Sequence, residues 1–210
     1  MAVIALLGDS VFDNKVYVGS DRDVSAHLRT IVPADWTVNL LAVDGSMTQT
    51  VVNQAERITS DTTHLVVSVG GNDALSNADI LNMPASNAAE VLNEITRRSS
   101  EFDRIYQQML DGILSHQLPM AICTIYYPNF LDSRMQNIAS AALANFNDVI
   151  VREAVRHGLP IIDLRLVCAE PSDYANEIEP SGAGGRKIAN AIFKLISEHD
   201  FSKKRTEVYY

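Results

Sequence analysis

Ser10 is the residue most readily turned to chemistry. It follows the apolar run Ala2-Val3-Ile4-Ala5-Leu6-Leu7, in the turn Gly8-Asp9-Ser10. A short apolar run without polar interruption predicts a strand buried on both faces, and the turn presents a hydroxyl at its carboxyl end. In open α/β sheets that edge is where ligands bind. A serine attacks an acyl group only if a base takes its proton and donors meet the oxyanion that develops. Two further turns supply candidate donors: Asp44-Gly45-Ser46-Met47-Thr48 and Gly70-Gly71-Asn72-Asp73. The amides of Ser10 and Gly45 and the carboxamide of Asn72 suit one oxyanion hole. Taken singly, Gly45 and Gly70-Gly71 serve equally well as positive-φ turn residues, and Asn72 as a cap or turn former. Their recurrence at three successive strand ends favours the shared role.

The elements that must position these turns alternate along the chain. After the first strand, Asp23 or Ser25 caps a helix running to about Ile31, with Pro33 as a stop. Trp36 to Val43 reads as the second strand and His64 to Val69 as the third. Between them, Val51, Val52, Ala55 and Ile58 are spaced as on a helix. Leu75 to Asn87 reads as a polar surface excursion, followed by a long amphipathic helix from about Ala88 to His116. Ala121 to Tyr126 is the fourth strand, 134–157 a further amphipathic helix, Pro160 to Leu164 the fifth strand, and Ala183 to His199 the last helix. The tail through Lys203-Lys204-Arg205 reads as a frayed, solvated end. Strand and helix in alternation predict a five-stranded parallel sheet with helices on both faces, in one domain over residues 1–210. Right-handed crossovers then bring the turns around Ser10, Gly45 and Asn72 to one edge. Tyr126, Tyr127 and Asn129, in the loop after the fourth strand, open onto that edge and are expected to line the pocket with Asp9 and Asp73.

Composition narrows the partner. With 17 basic and 26 acidic residues the formal net charge is -9, which disfavours nucleic acid and anionic membranes and leaves a small molecule. No apolar run reaches the roughly 20 residues of a bilayer span, and no basic region precedes the first apolar segment, so no membrane insertion is expected and the expected location is the cytoplasm. Cys123 and Cys168 read as buried free thiols. Asp9, Asp13, Asp44 and Asp73 gather at the same edge and could hold Mg²⁺ for phosphoryl transfer. No histidine completes a dinuclear site, and carboxylates in such turns more often cap them. No metal or cofactor is expected. Gly182-Ala183-Gly184-Gly185-Arg186-Lys187 lacks the spacing of a P-loop and reads as a helix entry.

Gly8-Asp9-Ser10, Gly45 and Gly70-Gly71-Asn72-Asp73, in this order, resemble blocks I, II and III of the GDSL or SGNH hydrolase superfamily, and Glu179-Pro180-Ser181-Gly182 stands where its fifth block falls. The resemblance implies a flavodoxin-like three-layer α/β/α fold, esterase or lipase chemistry without a metal, Ser10 as nucleophile, and Ser10, Gly45 and Asn72 as oxyanion donors. In the fifth block the family carries Asp-x-x-His; here Asn176 and Glu179 occupy those positions. Three readings stay open. Glu179 is the base, its carboxyl raised by burial and oriented by Asn176. Alternatively a histidine arrives from elsewhere; His64 lies at the opposite edge, His116 and His157 at helix ends and His199 near the terminus, leaving His27 as the one serious candidate. In the third, catalysis has been lost and the pocket binds a small molecule.

Overall fold

A computed structural model describes residues 1–210. Its frame is a sheet of six strands, all paired in parallel: β1 (Val3–Gly8), β2 (Thr37–Leu40), β3 (His64–Ser68), β4 (Met120–Cys123), β5 (Ile161–Ile162) and β6 (Val208–Tyr209), in the order β2-β1-β3-β4-β5-β6. Seven α-helices accompany them: α1 (Val24–Ile31), α2 (Val51–Ala55), α3 (Gly71–Ser76), α4 (Ala88–Leu114), α5 (Ser133–His157), α6 (Leu164–Val167) and α7 (Gly182–Glu198).

Strand β1 is buried at every position. Because successive side chains of a strand point to opposite faces, Ile4 and Leu6 pack with Val24 and Leu28 of α1 and Ile188 and Ile192 of α7, while Ala5 and Leu7 pack with Tyr106 and Leu110 of α4 and Val149 of α5. One unbroken apolar run thus serves two cores, which gives the three-layer α/β/α sandwich. Strand order reverses between β1 and β3, so the crevice at their carboxyl ends is the switch point at which such sheets bind ligands.

Three expectations need correction. The tail is not frayed: Ile161 N donates to Glu207 O and Asp163 N to Tyr209 O, adding a sixth strand at the edge. Tyr209 is buried there, and its hydroxyl and the His199 ring meet Glu207, at 2.9 Å each. The second strand is shorter than its apolar pattern, because Leu41 N and Ala42 N both donate to Leu6 O and the chain bends out of the ladder. Residues 75–87 are not a mere excursion: α3 and the 3₁₀ turn at Ala78–Asn82 form the roof of a cavity over β3.

The turn after β1 rests on a backbone approach that only glycine allows. Gly8 has φ 133°, and a Cβ placed on it would lie 1.8 Å from Ser68 O of β3. Gly8→Ala should therefore lower stability by about 2 kcal/mol or more, from combined strain and overpacking, read as a drop in denaturant midpoint.

Candidate active site

The carboxyl ends of β1, β2 and β3 carry the three turns singled out in the sequence, and the loop before α7 closes over them. The Ser10 hydroxyl donates to Glu179 Oε1 at 3.0 Å, in a site where both residues are 7% exposed. The turns are stitched together. Asn72 Nδ2 donates to Ser46 O at 3.0 Å, which draws its carboxamide toward the turn holding Gly45. The main-chain amides of Ser10 and Gly45 make no hydrogen bond within the protein. Ser10 and Asn72 line the cavity.

Glu179 is held through its backbone. Asn176 Oδ1 accepts from the Ile178 and Glu179 amides, at 2.9 Å each, so Asn176 shapes the turn and does not touch the carboxylate. The Tyr126 hydroxyl donates to Ile178 O at 2.6 Å, Asn129 N donates to Glu177 O at 2.7 Å, and the fully buried Asn14 donates to Pro180 O at 3.1 Å. These ties come from the loops after β1 and β4, and they fix the carboxylate over Ser10. Its second oxygen, Oε2, is buried with no partner. Burial raises the Glu179 carboxyl to about 7, a rise to which Asp44 adds and which the Ser10 hydroxyl opposes. Burial likewise raises Asp9 to about 7; the Val11 amide opposes that shift, while Glu179 and Asp73 add to it.

The profile of the GDSL-like Lipase/Acylhydrolase family matches residues 6–187. The chain belongs to this family. Membership places it among hydrolases of the esterase and lipase type. No curated protein sequence matches it significantly. Among solved structures, the extracellular lipase of Streptomyces rimosus superposes with a TM-score of 0.68 at 19% identity, covering 89% of this chain and 96% of its own. A lipolytic protein of the G-D-S-L family from Veillonella parvula gives 0.70 at 17% identity, over 95% and 100% of the two chains. Phospholipase A1 of Streptomyces albidoflavus gives 0.64 at 17%, over 94% and 99%. At these identities the likeness is one of fold.

In this GDSL-family chain the cavity beside Ser10 has a volume of about 200 Å³, and 18 of its 27 lining residues are hydrophobic. Its outer wall is a stripe of α5: Met135, Ile138, Ala139, Ala142, Leu143 and Phe146. The spacing is that of one helical face. The same stripe continues as Val149, Ile150 and Ala154 into the core, so one apolar face lines the cavity at its start and fills the protein at its end. The roof is pinned to α4 by Arg98, which donates to Asp79 Oδ2 at 2.9 Å, Glu94 Oε1 at 2.8 Å and Asn77 O at 3.0 Å.

Of the expected pocket residues, Asp9 and Tyr126 reach the cavity. Asp73, Tyr127 and Asn129 do not. The Asp73 carboxylate accepts from Thr48 N and Oγ1, at 3.0 and 2.8 Å, and braces the turns after β2 and β3. The Tyr127 carbonyl accepts from the Tyr174 hydroxyl, and Asn129 serves the Glu179 loop. None of the five histidines lines the cavity; His27 sits in α1 with its Nε2 buried and unpartnered.

Gln54, which sequence reasoning passed over, does as much as any donor to shape the site. It is 4% exposed. Its Oε1 accepts from Gly8 N, and its Nε2 donates to Gly8 O, both at 2.8 Å, and to Ser46 Oγ at 3.1 Å. A single amide therefore joins the turn after β1 to the turn of Gly45. The signal was its place on the inner face of an apolar helix, three residues after Val51. Gln54→Met keeps the volume and removes these bonds. It should lower kcat about tenfold to a hundredfold with little change in KM, and stability by about 1 to 3 kcal/mol, measured by steady-state kinetics and denaturant unfolding.

Proposed function

We propose that this protein hydrolyses esters of medium-length apolar acyl chains, with Ser10 as nucleophile and Glu179 as its general base. The observation that carries this reading is the buried Ser10 to Glu179 hydrogen bond beside an apolar cavity. A base must lie within hydrogen-bond reach of the proton it takes and titrate near the working pH; Glu179 meets both conditions, at 3.0 Å and about 7. Attack by Ser10 Oγ passes its proton to Glu179, and the carbonyl oxygen gains charge facing Ser10 N, Gly45 N and Asn72 Nδ2. Collapse of the intermediate releases the alcohol, which takes the proton back from Glu179. Water then cleaves the acyl-enzyme by the same route. An apolar cavity of about 150 Å³ admits benzene, so one of about 200 Å³ takes an acyl chain of medium length.

Hydrolysis of nitrophenyl octanoate, lost by a thousandfold or more, on the order seen for a missing nucleophile, in Ser10→Ala, is the primary test. No turnover and no labelling by a fluorophosphonate would instead leave a small-molecule binding protein that keeps the pocket. Because Glu179 acts as its carboxylate, kcat/KM should rise with pH, level off above about 7, and fall by about a hundredfold or more in Glu179→Gln.

Linkage supplies a second reading of the same group. Its folded pKa lies above the unfolded value, so the folded state retains a proton that the unfolded state loses. Glu179 then costs stability as pH rises from about 4.5 to about 7, with the full cost present above that window. Glu179→Gln should remove that cost, giving a higher melting temperature than the parent at pH 8 and a difference that closes below pH 4.5. A bulky residue in the outer wall tests the cavity: Ala142→Trp should move the preferred acyl chain from octanoyl toward acetyl, read as the ratio of kcat/KM for the two nitrophenyl esters.

A further inference from the structure

Helix α4 sets an arginine into the apolar wall of the cavity. Its inward stripe runs through Ile95, Phe102, Tyr106 and Met109, and Arg98 stands on the same helical face between Ile95 and Phe102. The Arg98 side chain is 13% exposed and lines the cavity. Its guanidinium donates to Glu94 Oε1 on its own helix at 2.8 Å. On the roof it donates to Asn77 O at 3.0 Å, Asn77 Oδ1 at 3.3 Å and Asp79 Oδ2 at 2.9 Å. Two carboxylates already meet its one charge, so none is left over for an anionic ligand. What the arginine supplies is a strut. The roof has little else to hold it: no residue of the 3₁₀ turn Ala78–Asn82 is buried, and in α3 Asp73 alone is. The other hydrogen bonds of residues 75–85 are local, from the Ser76 and Asn77 side chains to Asp73 O, and from Asn77 N to Ala74 O, Ile80 N to Asn77 O and Met83 N to Ile80 O. A segment without core side chains opens at low cost. The strut also acts away from Ser10. Helix α3 begins beside the turn after β1, where a Cβ on Gly71 would lie 3.9 Å from Asp9 Oδ2. Asn77 follows its last residue, roughly 7 Å beyond Asn72 at about 1.5 Å per helical residue.

We propose that Arg98 is a specificity-determining residue: by tying Asn77 and Asp79 to α4 it fixes the height of the roof and closes the cavity to acyl chains longer than medium length. The inference rests on the esterase reading for what the cavity holds. An added methylene improves specificity by about tenfold or more where an apolar pocket has room for it, and gains nothing where a wall stands. Here the wall is movable except for one side chain. Arginine suits the task because its planar fork reaches three groups at once, Glu94, Asn77 and Asp79, while its stem continues the apolar lining between Ile95 and Phe102. Arg98 is a positioning residue, acting on the substrate through the roof.

The experiment measures kcat/KM for nitrophenyl dodecanoate relative to nitrophenyl octanoate. Arg98→Met keeps an apolar stem and removes every bond to the roof, and the ratio should rise by about tenfold or more. Asp79→Asn, at an exposed position of the roof, should move it in the same direction, and it carries the test if Arg98→Met does not fold. Because the ratio is taken within each protein, general damage to the fold cancels. An unchanged ratio in the folded variants, with both esters slowed alike, makes Arg98 a merely structural residue and overturns the proposal. If the parent turns over neither ester, the esterase reading fails and the strut is judged by binding. Calorimetric titration should then show the parent binding 1-decanol no more tightly than 1-octanol, and Arg98→Met binding 1-decanol several-fold more tightly, on the order expected for added methylenes that find room. The same relative affinity in parent and variant overturns the proposal.

Discussion

A buried hydrogen bond between residues 169 positions apart, from the Ser10 hydroxyl to Glu179 Oε1, is the contact on which the rest of the structure converges. Its geometry requires β1 to end at a set height, and the fit of Gly8 against Ser68 O sets that height. It also requires the loop before α7 to return over the sheet. Asn14, Asn129 and Tyr126 hold that loop by its carbonyls, and Asn176 holds it by its amides. At the positions where the family resemblance implies an Asp-x-x-His pair, this chain has Asn176 and Glu179, and the Asn176 side chain holds the Glu179 main chain.

The electrostatics of the site follow from the same burial. Enclosing Glu179 and Asp9 in a poorly hydrated crevice disfavours their charged forms and brings both toward neutrality as the pH at which they titrate. For stability it is a cost, and the dense main-chain ties around the two turns offset it. Gln54 and Asp73 belong to that bracing. Each joins two of the strand-end turns.

The asymmetry around Ser10 comes from which elements stand on either side of the switch point. The first part of the α5 apolar stripe, from Met135 to Leu143, lines the cavity, Phe146 both lines it and joins the core, and Val149, Ile150 and Ala154 lie in the core. On the β2 side the turns are polar and tied to one another, Asp13 Oδ2 accepting from Asp44 N and Asp44 Oδ2 from the Tyr17 hydroxyl.

Much of this was legible in the chain itself. Unbroken apolar runs and amphipathic helices are local patterns, set by the need to bury one face or two, and they determine the parallel three-layer fold and the strand ends that carry Ser10, Gly45 and Asn72. The residue types in those turns, and Glu179 in place of an imidazole, were likewise readable, because chemistry at a turn depends on identity and spacing. Only the tertiary structure decided what depends on distant partners. It paired the tail as β6, where composition alone read a solvated end, because an edge strand needs a neighbour more than an apolar pattern. It turned Asp73, Tyr127 and Asn129 to bracing roles, gave Asn176 the backbone and not the carboxylate, and divided the α5 stripe between cavity and core. Those outcomes are fixed by which groups meet across the fold, and local sequence carries no record of that.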